Sequence, residues 1–501
     1  MSDVKFQPQA HFEASRLPYS FLPVRFIDLG NRKLVVNEVG EHLVVDDATF
    51  DEFVAKKLRP GSVAYDDLKA KHMLLDGPAD VPLRMLATKY RTKRGFLSGF
   101  TRLHIFVVTL RCEHSCHYCQ VSRVSPDKAR YDMSTETAMR SLDLVFRSPA
   151  REISIEFQGG EPLLNFDTIS VVVEEAKRRN ATAGKLIQFV VTTNLALVTD
   201  EILGFCRDHA VLLSTSLDGP ASVHNINRPR PGNDSYELTI QGIERARAIL
   251  GRDRVSALMT TTKLTLEHPR AVVDEYVRQG FDHIVLRPLS PYGFAVKTRL
   301  KTGYDIDDYL AFYRNALSYI IELNQRGTFL VEGFAQLLLT KILTPFPTGY
   351  VDLQSPAGAG ISAAVYNYDG DVYVSDEARM LAEMGDKTFR LGSVHSDTYE
   401  GMFGGALLRS LVEASCVESL PGCSDCALQN WCGADPVENY AKQGNIVGHR
   451  PTSEFCHRNM SIIKHLLQLY HDGGESIRRV FWSWVNNTPA SQLVPSLEAS
   501  T

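Results

Sequence analysis

From about residue 101 to 325 the chain alternates six times between a short apolar run and a longer amphipathic stretch. The apolar runs cover 103–110, 152–158, 186–194, 211–217, 255–262 and 283–289; the amphipathic stretches cover 134–147, 166–180, 200–208, 234–250, 268–279 and 305–325. Short continuous apolar runs fit strands buried on both faces, and a 3.6-residue period fits helices that pack along one stripe. Strict alternation of the two predicts a parallel α/β sheet with right-handed crossovers and helices outside it. Six units are too few to close an eight-stranded barrel, so the expected architecture is a partial (βα)6 barrel. Ligands of such sheets lie beyond the C-terminal ends of the strands, and that is where the chemistry is sought.

The flanks read differently. In residues 1–95, alternating stretches at Phe21–Asp28 and Lys33–Val45, with turns at Gly30-Asn31 and Gly40-Glu41, precede helical periods at Thr49–Leu58 and Tyr65–Leu75. A small α+β module follows from that pattern. The basic stretch Lys89–Gly99 reads as an exposed connector into the barrel at 96–325. Residues 326–480 are rich in Gly, Ser and Cys around a hairpin signal at Asp369-Gly370, a composition that usually requires a metal staple. Residues 481–501, whose stretch from Asn486 on is polar with two prolines, are expected to be a disordered tail.

Lys plus Arg total 54 against 59 Asp plus Glu, and no basic block stands out. A nucleic-acid partner, which needs clustered positive charge, is not expected. Apolar runs fall short of a bilayer span, and Met1–Arg16 lacks the apolar core of a secretory signal, so a cytoplasmic protein without membrane contact is expected. In that compartment the nine cysteines point to metal or redox chemistry rather than disulfides. Two clusters take up seven of them, leaving Cys206 and Cys416 as buried or incidental thiols.

The first strand runs into Cys112-Glu113-His114-Ser115-Cys116-His117-Tyr118-Cys119. Three thiolates on one loop can hold three irons of a cubane and leave the fourth open, whereas a zinc ion completed by His114 or His117 is the alternative. The C-x3-C-x2-C spacing, with Tyr118 before the last cysteine and a strand in front, resembles the radical S-adenosylmethionine (SAM) superfamily. The resemblance implies a 4Fe–4S cluster on Cys112, Cys116 and Cys119 whose open iron chelates the methionine end of SAM. An external one-electron donor would then release a 5′-deoxyadenosyl radical that abstracts hydrogen from substrate. Further cofactor contacts implied are Tyr118, Gly159, Gly160 and Glu161 in the Gly-Gly-Glu-Pro turn, Ser216 and Arg228 around Ser-Leu-Asp-Gly-Pro, and Leu286 on the sixth strand. Read alone, these are glycine turns, a helix boundary and core residues.

The C-terminal region resembles SPASM domains, which hold auxiliary clusters. The resemblance implies one auxiliary 4Fe–4S cluster on Cys423, Cys426, Cys432 and Cys456, with a four-cysteine zinc site as the alternative. A second ligand set would fall at Ala357, near Ala363, at Ser375 and at Pro436, where no cysteine stands. Asp376 matches the aspartate that accepts a proton in sulfatase-maturing relatives, implying a catalytic role. Phe21-Leu22-Pro23-Val24-Arg25-Phe26, Cys119-Gln120 and Arg287-Pro288-Leu289-Ser290-Pro291-Tyr292-Gly293-Phe294 resemble the HxsB-type maturase of the His-Xaa-Ser system. That likeness implies a ribosomally made substrate with His-Xaa-Ser repeats, a second radical SAM protein as system partner, and a peptide-recognition role for residues 1–95. A sulfatase-type formylglycine maturase and a zinc-stapled peptide-binding scaffold are the competing readings.

Overall fold

The computed structural model describes residues 18–493. The chain divides into two compact bodies, Met1–Arg94 with Gly422–Trp431 and Gly95–Pro421 with Cys432–Thr501.

In the smaller body, β1 (Val24–Asp28), β2 (Arg32–Asn37) and β3 (His42–Asp46) form an antiparallel sheet. Helices α1 (Asp47–Val54) and α2 (Val63–Ala70) are capped by the side chains of Asp46 and Ser62. Val35, Val45, Phe50, Phe53, Tyr65 and Leu68 make one core. The reading of Lys89–Gly99 as a connector needs correction, because α3 (Asp80–Lys93) runs through its first half. Pro82 sits in the first turn of that helix, where its missing N–H costs nothing, so the proline does not break it. Residues 422–431 join this body: Asn430 donates to the Asn37 carbonyl at 3.1 Å, and His42 meets the Trp431 ring edge-on at 5.2 Å.

The larger body holds the expected βα series. Its elements are β4 (Leu103–Thr109), α4 (Thr135–Arg147), β5 (Glu152–Gly159), α5 (Phe166–Ala183), β6 (Leu186–Thr192), α6 (Asp200–Asp208) and β7 (Leu212–Ser216). They continue with α7 (Ala221–Asn227), α8 (Ser235–Leu250), β8 (Val255–Thr260), α9 (Pro269–Arg278), β9 (Leu286–Arg287) and α10 (Ile306–Gln325). The six strands pair in parallel in sequence order. The sheet does not stop there. Strands β10 (Ala363–Tyr366), β11 (Asp371–Tyr373) and β12 (Arg390–Ser393) extend it past β4, giving the order β9-β8-β7-β6-β5-β4-β10-β11-β12. The pairing of β10 with β4 is parallel, so the β10–β11 hairpin, expected in a domain of its own, completes the barrel sheet instead. An edge strand as apolar as Ile105–Val108 requires such cover.

Beyond it lie α11 (Asp376–Glu383), α12 (Pro436–Gln443), α13 (Glu454–Asp472) and α14 (Gly474–Val485). The last corrects the expected tail from 481. Phe481 and Trp484 are fully buried and pack at 5.6 Å, since three aromatics at 481, 482 and 484 give a short helix an apolar stripe. Residues 494–501 and Met1–Arg16 lie outside the described residues. Among those described, no helix is long and apolar enough to cross a membrane.

Candidate active site at the barrel mouth

The cysteine loop is held from three sides. Cys112 N donates to the Val124 carbonyl at 3.1 Å, His117 N to Asn227 at 3.2 Å, and Phe294 N to Cys119 at 2.8 Å. None of the three cysteines is in a disulfide, and burial pushes the Cys116 thiol up to about 12 and raises that of Cys112 well above its ordinary value. Such sulfurs ionise only when a metal takes the place of the proton.

Gly159 and Gly160 end β5 against this loop. A Cβ on Gly160 would lie 2.2 Å from the Arg111 carbonyl oxygen, and one on Gly159 would lie 1.9 Å from that of Thr109. The close approach that demands glycine is therefore made by the loop backbone itself, with Gly160 N donating to Thr109 and Glu161 N to Arg111.

Glu161 is fully buried and accepts from Leu163 N at 3.0 Å, Thr193 Oγ1 at 2.7 Å and Asn194 N at 2.8 Å. Burial, then the charge of Glu113, raises its pKa to about 8. Burial works against the Glu113 charge as well, but the hydrogen bond and charge of His114 prevail and hold that carboxyl below its ordinary range. Asn194 Nδ2 joins this pair, 2.8 Å from Glu113 and 2.9 Å from His114. Neither carboxylate meets a lysine or arginine, and Glu113 Oε2, His114 Nε2 and Gln158 Nε2 are buried without a partner. Two adjacent interior carboxylates with orphaned polar atoms beside them suit a cationic ligand.

On the other side of the loop, Asp218 organises the site. Its fully buried carboxylate accepts from Tyr118 OH at 2.6 Å, Arg228 Nε at 3.0 Å, Arg228 Nη2 at 3.3 Å and Thr260 N at 3.1 Å. The Arg228 guanidinium lies over the Tyr118 ring, 5.2 Å from its centre. Ser216 ends β7 next to this group, whereas Leu286 is buried in the sheet with its N–H on Glu332 and its carbonyl on Tyr309. Sequence reasoning quoted Asp218 only as part of a turn and gave Glu113 and Asn194 no role. Their signal, polar residues immediately after buried strands, is too common to single out.

The donor atoms of Cys112, Glu113 and His114 lie within 4.8 Å of one another, and among the described residues no wider group does. A tetrahedral zinc on the three cysteines would bring their sulfurs to about 3.8 Å of each other. Among the described residues the three cysteine sulfurs do not form such a group.

Residues 106–276 match the radical SAM superfamily. They form a radical SAM domain. A serine-type anaerobic sulfatase-maturating enzyme of Klebsiella aerogenes is 26% identical over 199 residues, 39% of this chain and 47% of that protein, so the chain spans about half of that relative. The solved structure of native anSMEcpe with bound AdoMet and Cp18Cys peptide superimposes with a TM-score of 0.61 at 19% identity, covering 74% of this chain and 99% of that one. Streptococcus suis SuiB bound to precursor peptide SuiA gives 0.52 at 15% identity, covering 87% and 99%. The fold is thus the radical SAM α/β fold, with peptide-bound proteins among its structural neighbours. The superfamily implies a 4Fe–4S cluster and SAM, and the cationic-ligand geometry around Glu113 and Glu161 fits the ammonium and sulfonium of the latter.

The C-terminal cysteines are distributed between the bodies. Cys423 and Cys426 share a turn in the smaller one, Cys426 N donating to the Cys423 carbonyl at 3.0 Å. In the larger body Cys456 opens α13, and Asn459 one turn later reaches Cys432 Sγ at 3.9 Å. At the cysteine-free positions, Ser375 caps α11, Pro436 starts α12, and Ala357 and Ala363 are buried. Asp376 opens α11 and is paired with the buried Arg379 at 3.1 Å.

Proposed function

We propose that this chain is a radical SAM maturase acting on a ribosomally made peptide or protein, and that its substrate carries His-Xaa-Ser repeats. The observation that carries the enzymatic part is the Glu113–Glu161 pair, which meets no lysine or arginine, beside three cysteines of one loop that form no disulfide. In this reading Cys112, Cys116 and Cys119 hold the cluster, which with SAM supplies a hydrogen-abstracting radical. Glu161, with Glu113 behind it, receives the cationic methionine end beside Gly159 and Gly160, whose missing side chains let the cysteine-loop backbone close on the strand end. Asp218 occupies Nε and Nη2 of Arg228, and Nη1 would serve the cofactor carboxylate in this reading. Ser216 and Leu286 complete the nucleoside side, and Tyr118 shields the cluster. Asp376, held at 3.1 Å by the buried Arg379, takes the role of proton acceptor in this reading.

Cys423, Cys426, Cys432 and Cys456 hold one auxiliary cluster in this account, a second radical SAM protein and an electron donor are system partners, residues 1–95 engage the peptide, and the protein works in the cytoplasm. Mass spectrometry of a His-Xaa-Ser peptide co-expressed anaerobically with the chain tests the substrate: a mass change absent with Cys112→Ala supports it, and an unmodified peptide removes it. Cys456→Ala is expected to lower bound iron by one cluster while leaving 5′-deoxyadenosine formation from SAM. A serine or cysteine converted to an aldehyde would favour a sulfatase-type formylglycine maturase, the reading suggested by the Klebsiella relative.

A further inference from the structure

A second group of carboxylates lies in the larger body. Asp352 follows Tyr350, Glu377 stands in the first turn of α11, and Asp435 caps α12 by accepting from Val437 N and Glu438 N, both at 2.9 Å. All three are half-buried, and each lies within electrostatic reach of at least one of the others. No lysine or arginine pairs with them. Arg379 is taken by Asp376 and Lys442 by Glu438, while Arg287 and Arg458 act on the group only from beyond ion-pair distance. The Tyr292 hydroxyl, 1% exposed, has no hydrogen-bond partner and faces Asp435, Glu377, Glu438 and Asp352. An interior phenol left unpaired among carboxylates points to a missing hydrogen-bonding guest.

Burial and mutual repulsion push Glu377 up to about 7 and raise Asp352 and Asp435, so the empty group holds protons that a positive guest would replace. The guest is not a bare metal ion, because these oxygens do not gather within the 4.8 Å that the Cys112 group shows. Wider spacing suits an organic cation that spreads its donors over several acceptors. The group also lies within electrostatic reach of the barrel strands. Arg287, at the end of β9, acts on both Glu377 and on Glu156 of β5, whose other charged neighbour is Asp376. Glu438 and Arg458 belong to the wall of an adjoining cleft of about 570 Å³.

We infer that Asp352, Glu377, Asp435 and Tyr292 form a subsite that seats a basic side chain of the substrate, so that the chain prefers peptides with a cationic residue beside the modified position. This rests on the peptide-modifying reading and adds the chemical class of the residue recognised. The test uses the reconstituted holoenzyme and short fluorescein-labelled Gly/Ser peptides carrying one arginine, lysine or histidine, or citrulline as the neutral match. Anisotropy titrations are expected to show a cationic peptide bound about tenfold or more tighter than the citrulline one. Glu377→Gln with Asp435→Asn should bring that ratio to within about twofold, and because it is a ratio within one protein, partial unfolding does not mimic the result. Equal affinities in the wild type, a preference that survives in the double variant, absence of cationic-peptide binding, or displacement of the arginine peptide by magnesium chloride would each overturn the subsite. Only an unmodified co-expressed peptide, measured separately, bears on the maturase reading itself.

Discussion

Asp218 is the residue whose loss the structure prices most directly. Its carboxylate is fully buried, and the Arg228 side chain it neutralises is only 13% exposed. Asp218→Ala leaves a buried guanidinium without its counter-charge and strips acceptors from Tyr118 and Thr260 N. Breaking one side of a buried pair costs about 3–5 kcal/mol. At roughly 2 °C per kcal/mol for a body of this size, the midpoint of unfolding should fall by roughly 6–10 °C. Arg228→Ala should cost a comparable amount, because it leaves the carboxylate with neutral donors alone. The double variant removes both charges and should be less destabilised than the sum of the singles by about 2–3 kcal/mol. Thermal unfolding of the iron-free protein, wild type and three variants side by side, reads this without interference from metal. Shifts that add to within about 0.5 kcal/mol would show that the two residues do not act as one unit, and the assignment of Asp218 as the group that holds Arg228 would go with them.

Gly160→Ala should cost about 1–3 kcal/mol and lower iron content, since the new methyl group meets two carbonyl oxygens that belong to the cysteine loop; normal iron uptake would contradict that close approach. The Glu161 pKa of about 8 lies above that of a free glutamate, so between about pH 4.3 and 8 the folded chain keeps a proton that the unfolded chain gives up, and stability falls as pH rises. Relative to wild type, Glu161→Gln in the iron-free protein should therefore gain stability from pH 5 to pH 8, and parallel pH profiles would exclude the shift. Trp484→Ala removes a fully buried indole and should cost about 3–5 kcal/mol by denaturant midpoint; a neutral result would return residues 481–485 to the status of a loose tail.

The barrel was legible because its strands and helices differ in both period and length. The run 152–158 and the helix at 200–208 fall where alternation alone places them. The cysteine loop was legible for a different reason, since three sulfur donors in eight residues have few structural uses. What escaped was non-local. Nothing in Ala363–Tyr366 announces that its partner is β4, some 260 positions earlier, because a short apolar strand pairs equally well with any exposed edge. The helix at Asp80–Lys93 was masked by its charged second half, and Phe481 and Trp484 by the polar residues that follow them. Asp218, Glu113 and Glu377 share the same obscurity: a carboxylate becomes notable only when folding removes its water and supplies no cation, and neither event is written in its immediate neighbours.

That last point bears on how the molecule selects its ligands. A domain rarely keeps carboxylates in its interior without lysine or arginine beside them, because each such group costs several kcal/mol unless it is protonated or paired. Here the arrangement occurs twice in one body, at Glu113–Glu161 beside the cysteine loop and at Asp352–Glu377–Asp435 beyond Asp376. On the barrel strands, Arg287 acts electrostatically on both Glu156 and Glu377. Entry of a cation at either place converts a penalty into an attraction at a site where the dielectric is low and the attraction is strong. If the sulfonium compound takes the first place and, as proposed, a basic substrate side chain the second, each cation has its own fixed anchor of negative charge and neither drifts toward the other's seat.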